Sequence, residues 1–135
     1  MEMVELGAPL VMVIDDDAEM RAVLRDYLTR ERFSVCEEPS GERVITTLES
    51  VRPDVIVLDK EMPGTNGLDL LSYIGRRFPR IPVILVTAFG GQGVRAEALR
   101  RGAASYIEKP FRVAALLDTL RAVTERRAAL ETRDG

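Results

Sequence analysis

Polar side chains stand at or just after the ends of four apolar runs in this chain, and their types suit phosphate or hard-metal chemistry. Three acids follow the first run, one acid follows the third, a threonine follows the fourth, and a lysine comes just after the fifth. Carboxylate oxygens are the ligands that Mg²⁺ prefers, and lysine is a compact point charge for phosphate. These residues are Asp15, Asp16, Asp17, Asp59, Thr87 and Lys109.

Each of these side chains also has an ordinary structural explanation. Asp16, with a glutamate three residues later, matches a capping box that would open a helix, and Asp17 could cap that helix instead. Taken alone, Asp59 is typical of a residue that forms a turn. Taken alone, Thr87 is typical of a residue within a strand. Neighbouring acids repel one another, and a divalent cation is the usual remedy. For Asp15 and Asp16 taken alone, a structural role and metal binding are equally good explanations.

Lys109 is informative because lysine is rare in this chain. Of the 19 basic residues, Lys60 and Lys109 are the two lysines, and the others are arginines. Lysine replaces the planar guanidinium where a compact, mobile charge is needed. The Lys109-Pro110 pair directly after a strand also indicates a constrained peptide bond, for which a cis form is one expectation.

The elements that must position these residues follow from the apolar pattern. Five continuous, partly β-branched runs are typical of strands in a parallel sheet covered on both faces. The second and fifth are shorter and more mixed, as edge strands tend to be. The predicted strands are Leu10–Ile14, Phe33–Cys36, Val55–Leu58, Val83–Val86 and Ser105–Ile107.

Segments with apolar residues at helical spacing lie between and after these runs. We expect Ser40 to cap the second helix and Asn66 the third. The fourth is predicted over about residues 92–101, closed by Gly102, and the last begins after Pro110 and loses apolar character beyond residue 125. Five βα units predict a doubly wound, three-layer α/β domain, whose functional crevice lies beyond the carboxyl ends of the strands.

Composition limits the classes of function. The chain has 135 residues, 46% apolar and 30% charged, which predicts one soluble globular domain. It has no membrane-length apolar run, its acidic start lacks the features of a signal peptide, and the single Cys36 favours a reducing cytoplasm. The absence of histidine excludes histidine bases and ligands, so any metal must be bound by oxygen.

Charge is unevenly distributed along the chain. Residues 1–38 have a net charge of −6 and residues 95–133 a net charge of +4. The bases of the second stretch alternate with acids, so we interpret it as solvated helix surface or a protein-docking face, and expect no direct nucleic-acid or membrane binding.

Four motifs, VMVIDDD, VIVLDKEMPGTNGLDLL, PVILVTAFG and YIEKPF, make the chain resemble the receiver domain of two-component response regulators, the family of the bacterial chemotaxis regulator. The resemblance covers about residues 9–125. It implies a flavodoxin-like (βα)5 fold with a five-stranded parallel sheet in the order 2-1-3-4-5. Residues 1–8 would be an N-terminal extension, and residues 126–135 a C-terminal tail or the start of a linker.

The resemblance implies that Asp59 is the phospho-acceptor of a phosphorelay. Its carboxylate would attack the phosphohistidine of a sensor histidine kinase or phosphotransfer protein. Lys109 would pair with the phosphoryl oxygens, Thr87 would hydrogen-bond one of them, and Tyr106 would be the switch aromatic that turns inward on activation. The implied Mg²⁺ ligands are Asp15, Asp16, Asp59 and the backbone carbonyl of Glu61.

The resemblance also implies how the signal leaves the domain. The face of the fourth helix, fifth strand and fifth helix would bind a downstream protein or output domain, or a second copy as a homodimer. We expect Arg95, Arg100, Arg101 and Arg112 on that face. Such a receiver catalyses only its own phosphorylation and dephosphorylation. Lys60 is a departure from many relatives, and Glu61 and Phe89 occupy positions that tune phosphoryl lifetime.

Two alternatives stand beside this interpretation. One is a degenerate receiver that acts as a phosphate-independent interaction module. The other is a haloacid-dehalogenase-like phosphatase with Asp15 as nucleophile and Asp17 as acid/base. The second fits poorly, because Glu19 stands where that motif has threonine or valine, and because Asp59 would be left unexplained.

Overall fold

The computed structural model describes residues 7–134, and the side chains of residues 7–130. Five long strands and five helices alternate along the chain, as the apolar pattern predicts, and two further strands of two residues each follow the third long strand. The strands are β1 Leu10–Ile14, β2 Ser34–Glu38, β3 Val55–Asp59, β4 Glu61–Met62, β5 Thr65–Asn66, β6 Val83–Thr87 and β7 Ser105–Glu108. The helices are α1 Ala18–Arg30, α2 Val44–Ser50, α3 Gly67–Arg77, α4 Gln92–Arg100 and α5 Val113–Asp134.

The five long strands form one parallel sheet in the order β2-β1-β3-β6-β7. Without the two-residue strands β4 and β5, which pair only with each other, this is the predicted order 2-1-3-4-5. The mixed strands β2 and β7 are the edges, as their composition indicates. The central strands β3 and β6 are buried throughout.

Two apolar clusters fill the space between the sheet and the helices on either face. On one face, alternate residues of the central strands pack with residues of α2, α3 and α4, such as Leu48 and Ile74. On the other face, the remaining strand residues pack with α1 and α5, through Leu24 and Leu116 among others. The three-layer prediction is therefore confirmed. None of the described helices is long and apolar enough to cross a membrane.

Local signals at the helix starts are confirmed in two cases and wrong in one. Asn66 caps α3 by accepting the backbone N–H groups of Leu68 and Asp69, at 3.0 and 3.2 Å. Asp17, rather than Asp16, caps α1. The predicted cap at Ser40 is wrong, because α2 begins only at Val44 and has no side-chain cap.

Candidate functional site

Asp59 is the last residue of the central strand β3, and its side chain is nearly inaccessible, with 3% of the residue exposed. The ladder with β6 continues to this residue, which pairs with Val86 and so fixes the backbone beneath the carboxylate. Its Oδ1 accepts the backbone N–H of Glu61 at 3.2 Å. The strand therefore presents a rigid carboxylate at the carboxyl edge of the sheet.

Two further acids and one lysine meet Asp59 at this edge. Asp15 is buried just after β1, and Asp16 beside it is exposed. One carboxylate oxygen from each of the three acids lies within 4.8 Å of the others. The Nζ of Lys109, which follows β7, lies 3.5 Å from Asp15 Oδ2 and 3.6 Å from Asp59 Oδ1. The peptide bond from Lys109 to Pro110 is cis.

The donor set fits a magnesium ion. Three carboxylates from separate positions converge on one partly exposed point, and oxygen is the only donor type among them. Lys109 supplies one positive charge to three negative ones, so the site keeps a deficit of positive charge that a divalent cation would remove. The acidic cluster is therefore able to hold a hard cation.

Burial and charge set the protonation of this group of residues. Burial, followed by the neighbouring charge of Asp15, raises the pKa of Asp59 to about 6, against a smaller lowering by Lys109. Burial of Lys109 works against its charge, but the carboxylates of Asp15 and Asp59 outweigh it and raise the lysine pKa. Lys109 is thus held as a cation beside a carboxylate that is hard to ionise.

Glu61 forms a clasp across the site that the sequence motifs did not reveal. Its Oε2 accepts the hydroxyl of Thr87, and its Oε1 accepts the backbone N–H of Ala88 at 2.9 Å. Lys60 Nζ lies 3.2 Å from the same carboxylate. Although burial alone would raise the Glu61 pKa, these donors outweigh it and lower that pKa. Positions 61 and 87 are 26 residues apart, so no local pattern indicates this contact.

Most of the predicted site residues come together, whereas Asp17 and Tyr106 have other partners. Asp15, Asp16, Asp59 and Lys109 converge, and Thr87 reaches them through Glu61. Asp17 accepts the N–H groups of Glu19 and Met20 as a helix cap. Its carboxylate therefore has a structural role in α1.

Tyr106 lies on the neighbouring edge strand β7 with its ring buried. Its hydroxyl accepts the N–H of Gly91 and donates to Glu108, both at 3.2 Å. The guanidinium of Arg95 lies 5.7 Å from the centre of the ring. The tyrosine therefore ties β7 to the start of α4 from an inward position.

Comparisons with known proteins agree with this architecture. The model of the response regulator receiver domain family matches residues 11–121. The chemotaxis protein CheY of Thermotoga maritima is 31% identical over 116 residues, which are 85% of this chain and 97% of CheY. The response regulator protein FleR of Pseudomonas aeruginosa is 37% identical over 111 residues, which are 82% of this chain.

The relatives differ in length. The chain spans 24% of FleR, and 28% of a protein-glutamate methylesterase/protein-glutamine glutaminase of Pyrococcus horikoshii that is 43% identical over 104 residues. The likeness to that protein covers 74% of the present chain. The alignment covers only part of each longer relative, so it does not assign their activities to this chain.

Solved structures show the same fold. A Thermotoga maritima response regulator superposes with a TM-score of 0.80 at 25% identity, covering 87% of this chain and 98% of that one. A CheY-like receiver domain from Methanospirillum hungatei reaches a TM-score of 0.86 at 20% identity, covering 91% and 98%. With the family match over residues 11–121, these findings establish that the chain belongs to the response regulator receiver domain family.

Proposed function

We propose that the domain accepts a phosphoryl group on Asp59 from the phosphohistidine of a sensor kinase or phosphotransfer protein. The observation that carries the proposal is the convergence of a buried Asp59, the lysine Lys109 and two further carboxylates at one sheet edge. Because these 135 residues contain no histidine, the phosphohistidine must lie outside them. Membership of the receiver family removes the phosphatase alternative, in which Asp59 had no role.

We propose a role for each side chain in the transfer. The described hydrogen bond to Asp59 goes to Oδ1, which leaves Oδ2 as the attacking oxygen. An oxygen–phosphorus bond forms as the phosphorus–nitrogen bond breaks, and the histidine nitrogen leaves with the electron pair. Lys109 Nζ neutralises charge on the phosphoryl oxygens, and the rigid end of β3 keeps the nucleophile in line.

We propose Mg²⁺ as the cofactor. When bound, it would be held by Asp15, Asp16, Asp59 and the backbone carbonyl of Glu61, and would supply neutralisation of the equatorial phosphoryl oxygens. The protein's own contribution is to hold the three carboxylates close together before the ion arrives. The three carboxylates repel one another when no metal is bound, and a bound cation would offset that repulsion.

Phosphorylation is proposed to act through Thr87 and Tyr106. The Thr87 hydroxyl would leave Glu61 for a phosphoryl oxygen, and the contact from Tyr106 to Gly91 and Glu108 would repack. The affected surface is the α4-β7-α5 face, where Arg95 and the exposed Arg112 lie. We propose that a target protein, an output domain or a second copy binds there, and that charge reversal at Arg100 weakens that binding.

Intact-mass spectrometry tests the phosphorylation directly. The wild type, Asp59→Asn and the surface control Asp118→Asn are incubated with acetyl phosphate, with and without Mg²⁺. We expect one metal-dependent phosphoryl adduct on the wild type and on the control, and none on Asp59→Asn. Absence of an adduct with acetyl phosphate and with candidate kinases would favour the phosphate-independent interaction module instead.

A further inference from the structure

An apolar groove lies at the amino-terminal edge of the sheet, at the opposite end of the strands from the acidic cluster. Its volume is about 450 Å³, which is within the range of about 300–1,000 Å³ common for ligand sites. Its apolar lining comes from the segment that leads into β6, from the first residue of β6, from α3 and from α5, and includes Ile81, Val83, Leu71, Val123 and Leu130. Leu130 is 54% exposed, so part of this apolar surface faces water.

The rim of this groove is basic. Arg80, Arg126 and Arg127 line it, and none of its lining residues is acidic. Arg127 is held by Asp54, at 3.1 Å. Arg80 and Arg126 are exposed, and their side chains form no ion pair or hydrogen bond within residues 7–130. Two such cations beside an apolar surface are the electrostatic complement of carboxylates carried on an apolar segment.

We propose that the groove is a docking site for a segment of a partner protein in which apolar side chains are flanked by acidic ones. The apolar side chains would cover Leu130, which is the exposed apolar residue of the groove, and the acids would pair with Arg80 and Arg126. Burial of Leu130 would supply part of the binding free energy, and the two arginines would select for the acidic partner.

The position of the groove separates this interaction from the phosphorylation site. β6 begins with Val83 at the groove and ends four residues later at Thr87. At about 3.3 Å per residue, the two ends of β6 are roughly 13 Å apart. Neither Tyr106 nor Arg95 of the proposed switch face lines the groove, although α5 contributes to both surfaces. Docking in the groove is therefore expected to be independent of phosphorylation, and could keep a partner bound in both states.

A peptide titration of the ¹⁵N-labelled chain of 135 residues tests the proposal. The probes are the synthetic peptide acetyl-ELVELLE-amide and its lysine counterpart acetyl-KLVKLLK-amide. We expect the acidic peptide to shift backbone signals of groove residues such as Gly75, Ile81, Gly102 and Ala104. We also expect it to bind at least tenfold more tightly than the lysine peptide.

Variants test whether peptide binding depends on the groove or only on general charge attraction. The double variant Arg80→Glu/Arg126→Glu should weaken binding of the acidic peptide at least tenfold, and Leu130→Gln should weaken it too. The matched control is Arg43→Glu, an exposed arginine at the start of α2, and it should bind as the wild type does. Circular dichroism checks that each variant is folded.

Several results would overturn the proposal. They are equal binding of the two peptides, shifts that miss the groove, and unchanged affinity in the double variant. A native mass that rises with protein concentration, and that falls in the same variant, would assign the groove to a second copy of this chain. Since Asp59→Asn should bind the peptide normally, a failed phosphorylation test and a failed docking test remain distinguishable.

Discussion

Asp15 and Asp59 are two buried carboxylates that share the ammonium group of Lys109, and this arrangement stores electrostatic repulsion. Burial and the charge of Asp15 raise the pKa of Asp59 to about 6, against about 3.9 in an unfolded chain. The folded state therefore binds this proton more tightly than the unfolded state does. As pH rises from about 4 through about 6, the metal-free domain loses stability.

Replacement of Asp59 by asparagine should remove this loss. In EDTA at neutral pH, we expect Asp59→Asn to raise the free energy of unfolding by about 1–3 kcal/mol. At pH 4 the difference should shrink, since the wild-type Asp59 is then protonated in the folded state. Urea unfolding at both pH values measures the effect. Equal gains at the two pH values, or a gain in the exposed control Asp118→Asn, would contradict the electrostatic explanation.

Glu61 occupies two donors, the Thr87 hydroxyl and the Ala88 N–H, and the first of them is the group that we propose for a phosphoryl oxygen. Its own negative charge also opposes a second anion at this place. We expect Glu61→Ala to tighten binding of beryllofluoride, a phosphoryl analogue, about tenfold, because one competing hydrogen bond is worth about 1–1.5 kcal/mol. Fluorine NMR titration in Mg²⁺ provides the affinity.

The isosteric variant Glu61→Gln separates charge from hydrogen bonding. It keeps one acceptor oxygen and loses the charge, so its affinity for beryllofluoride should lie between those of the wild type and Glu61→Ala. If both variants bind as weakly as the wild type, the clasp does not compete with the phosphoryl group.

At the scale of the elements, continuous apolar runs were sufficient to predict the strands of the main sheet and its edges. They could not predict the β4–β5 pair, because two-residue strands carry no periodic signal. The start of α2 was also beyond local signals. A Cβ on Gly41 would lie 2.6 Å from Thr65 Oγ1, so the approach to α2 packs against the β4–β5 turn instead of forming a helix capped by Ser40.

In the candidate site, too, some features can be predicted from nearby sequence and others depend on contacts between distant residues. Asp15, Asp59 and Thr87 could be predicted because each stands at the end of a strand, and parallel strands end at the same edge. The contact from Glu61 to Thr87 depends on how the β3–β4 junction turns toward β6. That turn is set by tertiary packing, so the sequence near either residue contains no sign of it.

Gly67 is the first residue of α3, directly after β5, and it packs closely against the backbone of Lys60. A Cβ at this position would lie 2.5 Å from the Cα and the carbonyl oxygen of Lys60, both of which are backbone atoms. We expect Gly67→Ala to lower the free energy of unfolding by about 1–3 kcal/mol through overpacking. Thermal and urea unfolding report the change.

The same helix contains a matched control for this prediction. Gly75 has nothing within 4 Å of an added Cβ, and it lies inside α3. Gly75→Ala should raise the free energy of unfolding by about 0.5–1 kcal/mol, since alanine favours the helix over glycine. Destabilisation of the same size in both variants would show that α3 tolerates no added methyl group, and that the contact with Lys60 is not the cause.

At the scale of the whole molecule, a cation bound by the acidic cluster would couple folding to metal concentration. A ligand that binds only the folded state at about 100 times its Kd adds about 2.7 kcal/mol. We expect Mg²⁺ at that level to raise Tm by roughly 10 °C. Differential scanning calorimetry at constant ionic strength measures the shift. Asp16→Asn should reduce it, and the exposed control Glu42→Gln should not.

The direction of α5 has a practical consequence. The helix begins just after Lys109 and Pro110, at the carboxyl edge of the sheet, and its later residues reach the groove at the other edge. Its 22 residues span about 33 Å at 1.5 Å per residue. Gly7 also lies at that second edge, in a pocket shared with Arg127. A fluorophore or surface tether attached beyond either described end would thus lie near the groove and far from Asp59. Immobilised protein therefore suits phosphoryl-transfer assays, and untethered protein suits peptide-binding assays.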